Sequence, residues 1–325
     1  MIDAATRNAL DQAVVSAQTA NPHTALRALD LHDFARMKFK PRAEMLSPWL
    51  HSQDLCMVYA ARGIGKTHFA LSVAYSVATG GSFGPWTANK PRKVLYLDGE
   101  LPGAVMQQRC LMHCPDVEPL PGFLRVLTPD IVPEDDTLPD ISTPEGQARI
   151  EQSIEADTEL IVIDNLSAWA RTGRENDAES WHPIATWLLC LRRRGIAVLL
   201  VHHGGKNGQQ RGTSKKEDLL DVVISLSRPK DYDPQQGAVF VLEFTKARNL
   251  TGTEAESLEF TLGGDENRAL WTYSSAEAST MDRVAARNKD GLSPGEIAEE
   301  LSIHKSSVSR HLKKARELGL LPPGP

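Results

Sequence analysis

The sequence predicts an α/β fold: a mainly parallel sheet with helices on both faces, antiparallel strands at its end, and a small α-helical C-terminal module. Three observations carry this. Short, nearly continuous apolar runs alternate with longer helical segments between Cys56 and Ser227, the pattern of strands buried on both faces. After Pro229 apolar runs succeed one another without helices between them, as antiparallel strands do. A composition shift at Ser274–Thr280 then leads into a segment that reads as helical to its end.

The elements follow in order. Residues 1–35 are polar and alanine-rich at first, with a weak helical period at Leu10, Val14 and Ala17, which predicts a helical arm. A domain over residues 36–275 opens with Met45–Leu50, which lead into a strand at Cys56–Ala60. Further strands are expected at Val94–Asp98, Phe123–Leu127, Leu160–Asp164, Ile196–His202 and Val222–Ser227. Helices are expected at Thr67–Thr79, Gly103–Cys114, Thr143–Ala156 and Ala178–Arg194, and residues 128–143, rich in proline and acid, form a loop. The antiparallel strands fall at Ala238–Thr245, Ser257–Leu262 and Ala269–Tyr273, and residues 280–325 form the last module.

Gross properties exclude several function classes. The 325 residues are 41% apolar and 24% charged, ordinary values for a soluble globular protein. A net charge of −6 argues against coating nucleic acid with the whole surface, so any such contact is local. The N-terminus lacks the basic and apolar regions of a signal peptide, and no apolar run approaches the ~18–20 residues of a membrane span. Cys56, Cys110, Cys114 and Cys190 are too sparse for a disulfide framework and suit a reducing, cytoplasmic setting.

The strongest motif is Ala60-Ala61-Arg62-Gly63-Ile64-Gly65-Lys66-Thr67, between an apolar strand and an amphipathic helix that begins with Lys66, Thr67 and His68. It fits the phosphate-binding loop of a nucleoside triphosphate site, except that Ala60 stands where glycine is usual. Backbone N–H groups of Ala61–Thr67 would cradle ATP phosphates. Lys66 would neutralise the β and γ phosphates, and Thr67 would ligate Mg²⁺. Asp164, ending the run Leu160–Asp164, would hold Mg²⁺ through water; the following residue is Asn165 and not glutamate. Glu100, beyond the strand Val94–Asp98 and taken to end beside the phosphate loop, either positions the attacking water or caps the helix beginning near Pro102.

This set resembles the RecA-type, RecA-like P-loop ATPase core, and within it the hexameric replicative helicases of the plasmid RepA and DnaB type. Two stretches narrow the likeness: Val201-His202-His203-Gly204-Gly205-Lys206 with Arg211-Gly212-Thr213-Ser214, and Lys246-Ala247-Arg248-Asn249-Leu250-Thr251-Gly252. The resemblance spans residues 40–273. It implies that His202, with His203 the less certain neighbour, senses the γ-phosphate, whereas residues alone also allow a satisfied polar group. It implies that the loop Gly204–Lys216, with Lys206, Arg211, Lys215 and Lys216, lines a channel and grips single-stranded DNA; a solvated surface loop has the same composition. It implies that Lys246 and Arg248, one residue apart and so on one side of a strand, reach the γ-phosphate of an adjacent subunit as a finger. A surface charge pair is the alternative.

Two clusters read as structural. Cys110 and Cys114 around His113 suggest half a zinc site, but no partner ligands are in evidence and core packing explains them. Arg192–Arg194 complement a helix C-terminus.

The C-terminal module opens with a capping box, Ser293-Pro294-Gly295-Glu296, ahead of the apolar Ile297, Ala298 and Leu301. A turn at Ser302–His304 leads to a second helix with Val308, Leu312 and Ala315 inward. Lys305, Ser306, Ser307, Ser309, Arg310, Lys313, Lys314 and Arg316 lie outward. This resembles a helix-turn-helix, winged-helix-like, with Lys305–Arg316 as recognition helix for duplex DNA, and Lys305, Ser307, Arg310 and Lys313 as contacts. Many such modules dock proteins instead.

Together these imply an ATP-driven DNA helicase, a self-associating ring of six, acting in plasmid, phage or mobile-element replication. Two alternatives stand beside it: a DNA-binding ATPase switch acting through the helix-turn-helix without unwinding, and a signalling ATPase whose C-terminal module docks a protein.

Overall fold

The computed structural model describes residues 28–114, 117–172, 178–204, 215–229, 232–265 and 267–322. The helical period at Leu10–Ala17 lies outside them. The chain divides into two compact units, Met1–Pro41 and Arg42–Pro325. In the first, helix α1 (Leu31–Arg36) is capped by Asp30, whose carboxylate accepts from the Asp33 N–H at 2.9 Å.

The second unit begins with a hairpin, β1 (Glu44–Leu46) and β2 (Leu50–His51), which buries Met45, Leu46 and Trp49. β3 (Leu55–Ala60) enters the glycine loop and α2 (Lys66–Thr79) leaves it. A second hairpin, β4 (Ser82–Phe83) and β5 (Trp86–Thr87), is too short for sequence periodicity to reveal. There follow β6 (Lys93–Asp98), α3 (Gly103–His113), β7 (Leu124–Leu127), α4 (Pro144–Glu151), β8 (Thr158–Asp164) and α5 (Leu166–Trp169). Next come α6 (Ala178–Arg193), β9 (Ala197–His203), α7 (Lys215–Asp218), β10 (Val222–Ser227), β11 (Val239–Ala247), β12 (Leu258–Asp265) and β13 (Arg268–Ser275). The helix expected to reach Ala156 stops at Glu151. Glu155 and Asp157 beyond it bind Lys93 at 3.1 and 2.8 Å, turning the chain into β8.

Nine strands form one sheet in the order β13-β12-β11-β10-β3-β9-β8-β6-β7, parallel from β10 to β7 and antiparallel from β10 to β13. The fold class is therefore the expected mixed α/β one. Because side chains alternate along a strand, β3 feeds two cores. Cys56, Val58 and Ala60 join Phe69, Val73 and Val77 of α2 on one face. Leu55, Met57 and Tyr59 join Trp169, Trp187, Leu188 and Leu191 on the other. Each fully buried side chain of this size contributes roughly 1.5–3 kcal/mol. The first face carries an aromatic cluster in which Phe69, Phe83, Trp86, Phe240, Phe260 and Trp271 meet at centroid distances of 5.2–6.4 Å. It clamps the antiparallel strands onto α2.

The C-terminal module adds α8 (Ala276–Lys289), α9 (Pro294–Glu300) and α10 (Lys305–Glu317). α8 starts directly after β13, before the boundary expected at residue 280, with the Ser275 hydroxyl accepting from the Ala278 N–H at 3.1 Å. Met281, Val284, Ile297, Leu301, Val308 and Leu312 form its separate core. The capping box at Ser293 and Glu296 is present. Ser302 takes the positive φ (51°) that glycine usually supplies in this turn, and His304 Nδ1 caps α10 by accepting from the Ser306 N–H at 3.2 Å. No helix among the described residues is long and apolar enough to cross a membrane.

Candidate nucleotide site

The sheet order makes a crevice at the C-terminal ends of its central strands, where the chain leaves β3 and returns to either side of it. The glycine loop sits there. Gly63 and Gly65 adopt φ of 76° and 122°, values that a side chain resists, and a Cβ on Gly65 would come within 3.4 Å of the Ala238 side chain. No side chain caps α2 and its first turn holds no acid, so its N–H groups and positive dipole end face the crevice open to an anion. Lys66 is buried and donates to the carbonyls of Ala60 and Ala61 at 3.0 and 2.9 Å. Burial lowers its pKa, against the opposing charges of Asp164 and Glu100 and with that of Arg62.

Asp164 ends β8 inside the same cavity. It accepts from the Tyr96 hydroxyl at 2.7 Å and from Thr67. Burial, opposed by these two hydrogen bonds and joined by the charges of Asp98 and Glu100, pushes its pKa up to about 6. A buried acid touching a hydroxyl is a donor set that fits Mg²⁺ with hard oxygen ligands. Asp98 itself is tied to Thr128 Oγ1 at 3.0 Å and to the Glu100 and Leu101 N–H groups at 3.3 Å, so it shapes the loop that carries Glu100.

Glu100 lines the cavity, but not for the reason the sequence suggested. β6 does not lie beside β3; β9 and β8 intervene, and the loop after β6 reaches back across them, with the Gly99 N–H donating to the Asp164 carbonyl at 2.8 Å. Burial alone would raise the Glu100 carboxyl, but hydrogen bonds from Asn165 and His203 and the charges of His203 and Arg62 hold it below its ordinary value. His203 Nε2 stands 3.4 Å from Glu100 Oε1. His203, not His202, faces the cavity. The two are successive on β9 and so point to opposite faces, with His202 buried away from the crevice. Burial and Lys66 lower the His203 pKa against the pull of Glu100.

The far wall was not foreseen. Arg228, just past β10, stacks 3.6 Å over the Tyr232 ring and donates to the carbonyls of Gly63 (2.6 Å), Gly237 (3.1 Å) and Val239 (3.2 Å). An arginine at the end of the strand beside β3 was the available signal. With His68, Arg109 and Ala238 these residues complete a cavity of about 690 Å³, the size of a nucleotide pocket. His68 leads away from it into a buried chain: His68 Nδ1 to His113 Nε2 (3.0 Å), His113 Nδ1 to Ser72 Oγ (3.1 Å), and Trp271 Nε1 donating to Ser72 Oγ (2.8 Å). This is the role of His113. Burial raises Cys110 and Cys114 to about 11 and about 12, as befits packed thiols, and no metal-ligating group among the described residues includes them.

Lys246 and Arg248 lie elsewhere. Val222 pairs with both Cys56 and Ala247, so the end of β11 sits at the N-terminal edge of the parallel strands. That is the length of β3, roughly 17 Å, from the phosphate loop. Lys246 donates to the Glu217 carbonyl, while Arg248 donates to Asp221 Oδ1 at 3.1 Å and the Asp218 carbonyl at 3.2 Å.

Of the expected nucleic-acid contacts, Lys206 and Arg211 lie outside the described residues, as does the Lys215 side chain. Lys216 is corrected: it is buried over the Trp181 ring, 5.9 Å from its centroid, and is not presented to a polyanion. On α10, Lys305, Arg310 and Lys313 are exposed and Ser307 is half-buried.

Comparison with protein families agrees with this arrangement. A family model described as an AAA domain matches residues 20–209, and a MarR family model matches residues 281–324. No curated protein matches the chain. The chain belongs to the AAA-domain family, of P-loop ATPase type, and carries a MarR-like helix-turn-helix after the ATPase sheet.

Proposed function

We propose that this DNA-associated ATPase is a ring-forming helicase, a hexamer that couples ATP hydrolysis to movement along single-stranded DNA in plasmid, phage or mobile-element replication. The observation that carries the reading is the separation of Lys246 and Arg248 from the phosphate loop. A finger at that end of the sheet would serve a neighbour's pocket, and repeated head-to-tail contacts of that kind form a ring where the rotation between subunits closes.

Within one pocket the N–H groups of Ala61–Thr67 and Lys66 bind the β and γ phosphates, and the His68 turn continues that wall. Thr67, directly, and Asp164, through water, would hold Mg²⁺, which would offset phosphate charge when bound. Glu100 accepts the proton of the attacking water and orients it, its carboxylate kept ionised by Asn165 and His203. His203 takes the sensor role first assigned to His202, because it touches both Glu100 and the cavity. Arg228 and Tyr232 offer a planar surface to the base. Lys206, Arg211 and Lys215 grip DNA.

A second reading is a DNA-binding switch without unwinding. It is favoured by a cleft of about 250 Å³ in which Arg228 and Val241 face Thr280, Arg283, Leu301 and Ile303 of the helix-turn-helix module. Arg228 thus borders both nucleotide and module. Strand displacement on a forked duplex separates the readings. The ring reading expects unwinding by the wild type and none by Lys66→Ala or Arg248→Ala. A wild type that hydrolyses ATP with DNA bound yet never unwinds sinks it in favour of the switch.

A further inference from the structure

We propose that Asp221 is a positioning residue for the trans-acting arginine: its carboxylate, with the carbonyls of Glu217 and Asp218, forms a seat that presents Arg248 and Lys246 to the neighbouring pocket. This rests on the ring reading above. Asp221 is buried (10% exposed) and Arg248 half-exposed (51%), so the anchor is inside and the guanidinium at the surface. The two carboxylate oxygens are divided. Oδ2 accepts from the Leu55 N–H at 3.0 Å and from Arg192, which fixes the orientation of the group. Oδ1 is left for Arg248 Nη1 at 3.1 Å.

Two properties follow. An arginine has five N–H donors, and Asp221 and the Asp218 carbonyl engage one on each terminal nitrogen, leaving the others for a phosphate. Fixing a free arginine side chain at the moment of reaction costs rotamer entropy, which the seat has already met in the folded chain. The charge balance is also suited to the task. Among the described residues, three guanidiniums, Arg42, Arg192 and Arg248, are ion-paired at this edge with two carboxylates, Asp54 and Asp221. The carbonyls that hold Lys246 and Arg248 belong to residues 217–218, which directly follow the segment proposed to grip DNA.

The test is complementation between inactive subunits, read as DNA-saturated ATPase activity. Lys66→Ala supplies a finger but no working pocket; Arg248→Ala supplies a pocket but no finger. Mixed in equal amounts they place an intact pocket against an intact finger at about a quarter of ring interfaces, restoring about that share of wild-type rate. Asp221→Asn alone is expected to lose tenfold or more in kcat with KM for ATP unchanged, roughly the cost of a misplaced group. Mixed with Lys66→Ala it recovers as Arg248→Ala does, and adding it to Arg248→Ala costs nothing further. If Arg248→Ala recovers and Asp221→Asn does not, Asp221 serves its own subunit and the proposal fails. Loss of ATP binding by unmixed Asp221→Asn overturns it too, since the carboxylate would then be holding the fold. If neither variant recovers, the trans finger itself is wrong.

Discussion

The two ends of the parallel strands are finished in opposite ways. At the N-terminal ends charges meet charges: Asp54 pairs with Arg42, and Asp221 with Arg192 and Arg248. At the C-terminal ends the direct partners are mostly neutral: Lys66 and Arg228 donate to carbonyls and Asp164 accepts from hydroxyls, while Glu100 meets His203. Buried ions whose direct partners are neutral are costly. A chain that keeps them around a cavity is built to exchange those neutral partners for an ionic ligand, whereas the knitted end is built to hold a shape. On the ring reading, the pocket end binds and the far end presents.

Breaking the pocket end has the largest effect. Lys66→Ala removes the lysine that lines the phosphate-loop cavity, and steady-state hydrolysis should fall roughly 10⁴-fold. On the ring reading, Arg248→Ala at the far end should cost roughly 10³-fold in kcat while leaving binding of a fluorescent ATP analogue unchanged, because the proposed finger touches only a neighbour's transition state. Equal losses in binding for both variants would erase the distinction between the ends.

Acid should weaken the pocket side of the fold. Burial, with the charges of His68 and Arg109, holds His113 at about 3, well below its unfolded value near 6.5. A depressed histidine contributes stability above about 6.5 and loses it as pH falls toward 3, at up to roughly 1.4 kcal/mol per unit. Urea midpoints should thus drop between pH 7 and 5 in the wild type and less so in His113→Gln. The smallest effect belongs to Arg228→Ala, expected to weaken ATP affinity by roughly tenfold through lost stacking. If it instead leaves affinity unchanged while altering duplex DNA binding, the cleft under the helix-turn-helix is its main post.

Much of this was legible in the sequence because local chemistry dictated it. The glycine loop, the capping box at Ser293 and the strand Val222–Ser227 lie where their residues require. What stayed hidden depended on lateral order and pleat phase. Nothing in a linear reading places β9 and β8 between β3 and β6, so Glu100 reaches the pocket by a longer path than expected. Adjacent histidines on a strand must face opposite ways, but only the assembled sheet shows that His203 has the crevice. Lys216 reads as a surface cation until Trp181 is seen beneath it. Arg228 and Tyr232 are unremarked residues at a strand end, brought to the phosphate loop by the pairing of β10 with β3.

The division of labour between the two ends is tested most directly by ATPase rate per subunit as a function of protein concentration. A split site predicts that the wild-type rate per subunit rises steeply as subunits assemble, while Arg248→Ala stays low throughout. A wild-type rate that is already maximal for monomers, and unchanged by assembly, would contradict it.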